Sequence, residues 1–265
     1  MYHDLFYQPA IVPLTVIAQA TERVRLGPAA LNATTLHPVE LAGQAAALDL
    51  VSDGRAYLGL VVGAWLGSLG LDHQAPVARM REAVEIVRRL FAGDASGFDG
   101  AHFTLAPGAR LEYEPARSRI PLMIGTWRPR MAALAGRVAD EVKIGGSVNP
   151  AMVRRMREWI GSDDVGIVVG AVTVVDEDGD AARELARREA QVYLDVVGAL
   201  DPTVGGEPKL EQFAIAGTPE EVAEHAAALF DAGVVRVEFG TPTGRTTAEG
   251  VELLCERVLP LLRRA

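Results

Sequence analysis

The segment RLGPAALNATTLHPVELA, residues 25–42, combines very small residues with one polar amide. Gly27, Pro28, Ala29 and Ala30 end a predicted strand just before Asn32, although residues of these types rarely form strands. Small side chains leave the main chain accessible, so that a large flat group can lie directly against it. The pattern therefore favours a binding site for a planar ligand at this strand end.

A second candidate is GTWRP, residues 125–129, which follows an apolar strand and opens a helix. The free N–H groups and the positive end of a helix dipole suit an anion, and Arg128 adds a positive charge. An ordinary strand-to-helix turn explains the same residues, and from the sequence pattern alone it is the preferred interpretation.

Lys143, in DEVKIGGS, supports a different chemistry. A lysine on a barrel strand can form a Schiff base with a carbonyl substrate, as in one class of aldolase. The simpler alternative is an ion pair with Asp140 or Glu141. Glu238 and Arg245, in EFGTPTGR at the end of the last predicted strand, are further candidate substrate contacts because barrel active sites collect at such ends.

The histidines do not form a metal-binding pattern. His37 precedes Pro38 at a predicted helix start, where a structural role is favoured over substrate contact. His73, His102 and His225 stand apart without ligand spacing, and His225 is predicted on a solvent-facing helix. We therefore expect no metal site.

The composition restricts the class of protein. The 265 residues carry a net charge of −9, which argues against nucleic acid or an anionic membrane as the main partner. One cysteine excludes an internal disulfide, and no signal peptide or membrane-spanning apolar run is visible. We expect a single cytoplasmic domain, spanning residues 1–265.

Apolar strands alternate with amphipathic helices along most of the chain. The strands are predicted at residues 24–31, 56–62, 120–125, 140–144, 165–175 and 234–239. The helices are predicted at residues 11–23, 38–50, 77–91, 128–138, 150–160, 180–200, from 218 onwards and at 250–262. Such repeated units predict an α/β fold with a parallel sheet, and a (β/α)₈ TIM barrel suits this length. Glu82 is predicted largely outside the apolar stripe of the helix 77–91, and Thr218 with Glu221 is predicted to form a capping box. Residues 93–119 interrupt the alternation and are predicted to form an insertion loop or small hairpin, whereas 201–213 is predicted as a polar loop.

Two stretches are similar to a known family. TERVRLGPAALNATTLHPVELAGQAAALDLVSDGRAYLGLVVGAWLGSLG and FAIAGTPEEVAEHAAALFDAGVVRVEFGTPTG resemble the luciferase-like flavin- and deazaflavin-dependent oxidoreductases. Within them they look closest to the methylenetetrahydromethanopterin reductase branch. The similarity covers nearly the whole chain, and the combined pattern LGPxxxN…HPxxxA…LDxxSxGRxxLGL is specific.

The resemblance implies a luciferase-like (β/α)₈ barrel with an insertion after the fourth helix, which matches residues 93–119. It also implies that the first strand, the first helix and most of the second strand are missing from this sequence. An Asp-His pair usually ends that second strand, and His3-Asp4 stands at its place in reversed order. By resemblance, His3 and Asp4 are the catalytic candidates for proton transfer.

The resemblance also indicates where the cofactor binds. A bulge at Ala29–Ala30, often with a non-prolyl cis peptide bond in the family, presses on the ring, and Asn32 contacts the ring edge. The loop with Gly63, Ala64 and Trp65 borders the ring, although the acidic residue usual near Ala64 is missing. Gly125, Thr126 and Trp127 hold the phosphate. Coenzyme F420, a deazaflavin, is favoured as the cofactor, and FMN is the alternative.

The implied activity is hydride transfer to a small organic substrate, or its oxygenation with FMN. Two alternatives stay open at this point: a Schiff-base lyase acting through Lys143, and a non-catalytic flavin-binding relative. Members of the family are often homodimers, so a homodimer is a further expectation.

Overall fold

A computed structural model describes residues 8–63, 66–71 and 74–263. The predicted site residues His3, Asp4, Ala64 and Trp65 lie outside these ranges, as does His73. The described chain divides into two compact units. The first comprises the residues up to Gly125 together with Leu134–Asp140, and the second comprises Thr126–Ala133 and the residues from Glu141 onwards.

The first unit contains a short parallel sheet covered by helices. Its elements are α1 (Ile11–Ala20), β1 (Leu31–Asn32), α2 (Pro38–Val51), β2 (Leu58–Val61), a 3₁₀ turn (Leu66–Leu69), α3 (Pro76–Phe91), β3 (Phe98–Asp99), β4 (Thr104–Leu105) and β5 (Leu122–Gly125). β2 pairs with β1 and β5, so that Leu60 lies opposite both Leu31 and Ile124. All three strands are parallel, and their carboxyl ends therefore lie at one edge.

The predicted strand 24–31 is regular only at its end. Leu26 forms an isolated bridge with Ala56, and the ladder starts at Leu31. Pro28 has no N–H group to donate, and Gly27 lies against the Tyr57 ring, so the chain between Leu26 and Leu31 does not form a regular strand. The preceding helix α1 ends at Ala20 rather than Arg23, and Arg55 caps its end by donating to the carbonyls of Ala18, Thr21 and Val24.

The insertion forms the predicted small hairpin, since β3 and β4 pair in antiparallel fashion. Its attachment to α3 differs from the prediction, which placed Glu82 largely outside the buried stripe of that helix. The Glu82 side chain is buried, and its carboxylate accepts hydrogen bonds from the N–H groups of Ala101, His102 and Phe103. Desolvation raises the pKa of Glu82, but these backbone donors outweigh it and hold the pKa below its ordinary value.

The second unit is built around one long strand. Its elements are α4 (Pro129–Val138, whose last turns belong to the first unit), β6 (Glu141–Gly145), α5 (Pro150–Ile160), β7 (Gly166–Val175), α6 (Gly179–Leu200), α7 (Leu210–Phe213), β8 (Ala214–Gly217), α8 (Pro219–Asp231), β9 (Val234–Thr243), α9 (Thr247–Leu253), a π-helical turn (Leu254–Val258) and α10 (Leu259–Leu262). β7 pairs in parallel with β6, β8 and β9. The predicted capping box of α8 is present, because Thr218 and Glu221 exchange hydrogen bonds.

The sequence prediction missed β8, which lies between the predicted loop 201–213 and the helix that follows. The strand is only four residues long, and three of them are Ala or Gly, so its composition carries little strand signal. The parallel α/β class is confirmed. In the described ranges, neither unit by itself closes an eight-stranded barrel. No described helix is long and apolar enough to cross a membrane.

Candidate functional site

Three of the predicted cofactor residues lie at the carboxyl edge of the first unit's sheet. Asn32 ends β1, Gly63 follows β2 by two residues and Gly125 ends β5. Asn32 and Gly63 touch, because a Cβ atom on Gly63 would lie 1.9 Å from Nδ2 of Asn32. A Cβ atom on Gly125 would lie 2.7 Å from Cγ1 of Val61. The structure therefore brings these residues to adjacent strand ends without space for larger side chains.

Two further glycines, one before β1 and one inside β2, are explained by protein packing alone. A Cβ atom on Gly27 would lie 2.6 Å from the Tyr57 ring, and one on Gly59 would lie 2.1 Å from the carbonyl oxygen of Pro28. We call Gly27, Ala29, Ala30, Gly59 and Gly63 the small-residue edge. The small side chains predicted to serve a ligand are thus partly required by the neighbouring strand.

Ala29 and Ala30 occupy the middle of the small-residue edge. The peptide bond between them is cis, as the resemblance implies. Both residues are buried, with 7% and 6% of their surface exposed. Contact of this bulge with a cofactor ring stays a prediction.

Asn32 is held in a fixed orientation. Its Oδ1 atom accepts hydrogen bonds from the N–H groups of Thr34, at 2.8 Å, and Thr35, at 3.3 Å. Thr34 in turn donates from its hydroxyl to the carbonyl of Val62. Because the amide oxygen is committed to the backbone, the side chain offers a ligand its Nδ2 donor. Asn32 is 5% exposed, and its contact with a ring edge stays a prediction.

The predicted phosphate-binding turn is partly committed to internal hydrogen bonds in the second unit. Thr126 donates its N–H to the carbonyl of Lys143, and its hydroxyl accepts from the N–H of Arg128. The Trp127 indole donates to the carbonyl of Gly145 at 3.0 Å. These bonds fix the turn before α4, and they remove the Thr126 N–H from the donors that a phosphate would need.

Charged side chains gather on the second unit's sheet. Lys143 forms an ion pair with Glu238, and Arg236 pairs with Glu141 at 2.6 Å and with Glu238 at 3.6 Å. β6 and β9 both pair with β7, which places the four residues close together. We call them the charge cluster. Each of the four side chains is 15–25% exposed, so the cluster is largely screened from water.

The charge cluster corrects the interpretation of Lys143. Its partner is Glu238 rather than Asp140 or Glu141, because Asp140 instead accepts from Arg119 and from the N–H of Leu122. An ammonium group paired with a carboxylate must lose a proton before it attacks a carbonyl, so the ion pair does not favour the Schiff-base alternative. Spaced charges in each strand, at 141 with 143 and at 236 with 238, are the sequence signal that could have predicted the cluster.

Arg245, the other candidate substrate contact, binds Asp176 through two hydrogen bonds, at 2.5 and 3.0 Å. This bidentate Arg245 contact holds the pKa of Asp176 below its ordinary value, although partial burial opposes the effect. Both members of the pair are thus engaged with each other, and a substrate contact by Arg245 stays a prediction.

Two histidines have structural roles. His37 caps α2 by accepting from the N–H of Val39, which confirms the helix-entry interpretation. His225 was predicted to face solvent, and this was wrong: its Nε2 lies 3.2 Å from the carbonyl oxygen of Val148. Burial lowers the pKa of His225, although the hydrogen bond to Val148 opposes the shift.

A model of the luciferase-like monooxygenase family matches residues 2–236. The chain belongs to this family. The chain is 31% identical to 5,10-methylenetetrahydromethanopterin reductase from Archaeoglobus fulgidus, over 94% of its own length and 86% of the length of that relative. It is 26% identical to an F420-dependent glucose-6-phosphate dehydrogenase from Microbacterium testaceum, over 99% and 85% of the two chains.

A solved structure shares the luciferase-like fold. The coenzyme F420-dependent tetrahydromethanopterin reductase from Methanopyrus kandleri superimposes with a TM-score of 0.82 at 23% identity. The match covers 98% of this chain and 89% of the reductase. The family assignment and the α/β luciferase-like fold predicted from the sequence are therefore confirmed, while the roles of the individual site residues stay predictions.

Proposed function

We propose that the protein is an oxidoreductase that uses coenzyme F420 to transfer hydride to a small organic substrate. The small-residue edge carries the proposal, because the oriented amide of Asn32 lies against Gly63 and close in the chain to the buried Ala29–Ala30 bulge. The relatives support the choice of cofactor, since they include F420-dependent enzymes and the methylenetetrahydromethanopterin reductase.

The residues of the chain would provide positioning rather than redox chemistry. When bound, the reduced deazaflavin supplies the hydride. The main chain at Ala29–Ala30 would support the face of the ring, and Nδ2 of Asn32 would donate to its edge. Gly63 is required because a side chain there would displace the Asn32 amide. His3 and Asp4, outside the described residues, are proposed to assist proton transfer.

The anion site at Gly125, Thr126 and Trp127 is a separate part of the proposal. The Thr126 N–H is engaged, so the remaining backbone donors of the turn and the exposed Arg128 side chain would hold the phosphate. A small-molecule substrate is proposed by analogy with the named relatives. A homodimer and a cytoplasmic location stay predictions.

The test compares two glycines that follow β2, Gly63 and, in the 3₁₀ turn, Gly67. Gly63→Ala places a Cβ atom against Asn32 at a backbone φ of +114°, whereas Gly67→Ala meets nothing within 4 Å. We expect Gly63→Ala to weaken F420 binding at least about tenfold, the loss expected for an oriented hydrogen bond, and Gly67→Ala to leave it unchanged. Fluorescence quenching of F420 by the protein measures the affinity, and a thermal melt without cofactor checks that each variant is folded.

FMN is the second candidate cofactor, and oxygenation the second candidate reaction. The family description, luciferase-like monooxygenase, favours it. The same titration with FMN separates the two proposals: tight FMN binding with no F420 binding would replace the deazaflavin assignment. If the protein binds neither cofactor, both proposals fail and the non-catalytic alternative is supported.

A further inference from the structure

A small pocket lies next to the small-residue edge, within the first unit. Ala33, Thr34 and Val62, which follow β1 and β2, form one wall, and Pro76, Arg79 and Met80 from the first turns of α3 form the other. The pocket is a small notch that is partly open to solvent, with a cavity volume of about 10 Å³. Its described lining residues include Arg79 as a cation and no carboxylate.

Arg79 has an unusual environment for a charged side chain. Its guanidinium carbon lies 4.8 Å above the centroid of the Phe103 ring, a cation–π contact. Its Nε atom is buried and has no hydrogen-bond partner among the residues that the structure describes. A buried donor without a partner is costly in a folded protein, so an anion that binds the guanidinium group would offset part of that cost.

The insertion hairpin holds the aromatic ring beneath Arg79. Glu82, one turn further along α3, accepts from the N–H groups of residues 101–103 and so fixes the backbone of Phe103. The His37 ring packs edge-on against Phe103, with centroids 5.4 Å apart and planes at 89°. Phe103 is 6% exposed and therefore acts as a rigid base for the guanidinium. The hairpin is in this sense a positioning element for one cation.

We propose that Arg79 binds an anionic group, a phosphate or a carboxylate, of a ligand seated at the carboxyl ends of β1 and β2. The planar guanidinium presents paired donors that match the oxygens of either group. The existence of this anion site does not depend on the proposed function. Only the choice between cofactor and substrate as the molecule that carries the anion rests on it. Phe103 and Glu82 are positioning residues, which act through Arg79.

The first experiment uses inorganic phosphate and no cofactor. Isothermal titration calorimetry compares the wild-type protein with Arg79→Gln and with Arg81→Gln, a matched control on the same helix whose side chain is exposed. We expect Arg79→Gln to weaken phosphate binding roughly tenfold or more, with the control unchanged and partial rescue in Arg79→Lys. The proposal is overturned if the wild type binds no phosphate, or if both Gln variants bind it equally.

The second experiment finds the source of the anion. FMN is compared with riboflavin, and F420 with a deazaflavin that lacks the charged tail. If Arg79→Gln removes the preference for the charged form of either pair, the anion belongs to the cofactor. If it weakens inorganic phosphate but leaves all four ring ligands unchanged, the anion belongs to the substrate. Failure of F420 to bind, with Arg79-dependent phosphate binding retained, would refute the proposed cofactor and not this site.

Phe103→Leu separates positioning from charge. The variant keeps the guanidinium but removes its aromatic base, so we expect weaker phosphate binding than in the wild type and stronger binding than in Arg79→Gln. Circular dichroism checks that the hairpin remains folded. Binding equal to that of the wild type would remove Phe103 from the mechanism and show that the orientation of Arg79 does not depend on the hairpin.

Discussion

The strands of the two units differ in what they present to their surroundings. The small-residue edge of the first unit leaves no space for added side-chain atoms, because its glycines lie against the Tyr57 ring, the Pro28 carbonyl oxygen and the Asn32 amide. The charge cluster of the second unit is built from long, flexible side chains that neutralise one another. An added side-chain atom should therefore destabilise the first region strongly, whereas the side chains of the second region can rotate to accommodate a substitution. The free energy of unfolding of variants in each region measures this difference.

The comparison also separates shape from charge as sources of function. The small-residue edge lies beside one oriented donor, the Asn32 amide, while the charged groups of the charge cluster pair with one another, Lys143 with Glu238 and Arg236 with Glu141. A neutral network of this kind adds little net stability when it is partly exposed, because desolvation offsets the attraction between the charges. We therefore expect mutations at the first region to affect stability more than mutations at the second.

Gly59→Ala should give the largest effect. Its Cβ atom would lie 2.1 Å from the carbonyl oxygen of Pro28 and 2.9 Å from Cε of Met123. The backbone oxygen cannot rotate away, so we expect the free energy of unfolding to fall by about 3 kcal/mol, the upper end of the usual range for overpacking. Urea denaturation measures the change.

Gly43→Ala is the matched control for Gly59→Ala. Gly43 lies within α2 and an added Cβ atom meets nothing within 4 Å. Alanine is favoured over glycine in a helix, so this variant should gain about 0.5–1 kcal/mol. Equal effects of the two substitutions would show that the small-residue edge is not tightly packed.

How far the sequence predicts this molecule differs between the two regions. The alternation of apolar strands and helices was sufficient for the α/β class, and the family resemblance located the bulge at Ala29–Ala30. Short-range patterns also predicted the hairpin and the caps at His37 and Thr218. In these cases the signal lies within a few neighbouring residues, which is where local physical preferences act.

The sequence did not predict contacts between residues far apart in the chain. The partner of Lys143 is 95 residues away, and nothing local indicates that β6 and β9 both flank β7. His225 was predicted on a solvent-facing helix, but its ring lies against a carbonyl oxygen 77 residues away in the chain. Glu82 was likewise predicted outside the buried stripe of its helix, because the hairpin that covers it could not be placed by periodicity.

The charge cluster should give the second largest effect. A double-mutant cycle with Lys143→Met and Glu238→Gln should yield a coupling energy of about 1 kcal/mol, since both side chains are mostly screened from solvent. Added salt should reduce the coupling only modestly. Urea denaturation of the four proteins measures it.

Arg155 and Glu158 provide the reference pair for this cycle. Their side chains are 48% and 63% exposed, and their coupling should be about 0.5 kcal/mol or less. If the two pairs have equal coupling energies, the charge cluster stabilises the fold no more than an exposed surface pair. The difference in stability effect between the charge cluster and the small-residue edge is then larger than expected.

Gly166→Ala tests whether a glycine in the second unit tolerates an added atom. Its Cβ atom would lie 2.7 Å from Cγ2 of Val235, but that side chain is 57% exposed and can rotate. We expect a loss of about 1 kcal/mol or less, well below that of Gly59→Ala. The same substitution in a Val235→Ala background should cost nothing further. A loss as large as that of Gly59→Ala in both backgrounds would mean that the backbone, and not the valine, limits the space.

The smallest expected effect is a change in the pH dependence of stability. It concerns the second unit, because the small-residue edge of the first unit contains no titratable side chain. Burial holds the pKa of His225 below the value of about 6.5 that it has in the unfolded chain. As the pH falls below about 6.5, the unfolded chain binds a proton that the folded protein resists, so stability decreases until the lower folded pKa is reached. Urea denaturation should therefore give a lower free energy of unfolding near pH 5.5 than near pH 7.5, and His225→Gln should reduce this difference. If His225→Gln keeps the full wild-type difference, the half-buried imidazole does not contribute, and the acid sensitivity of the second unit must come from its carboxylates.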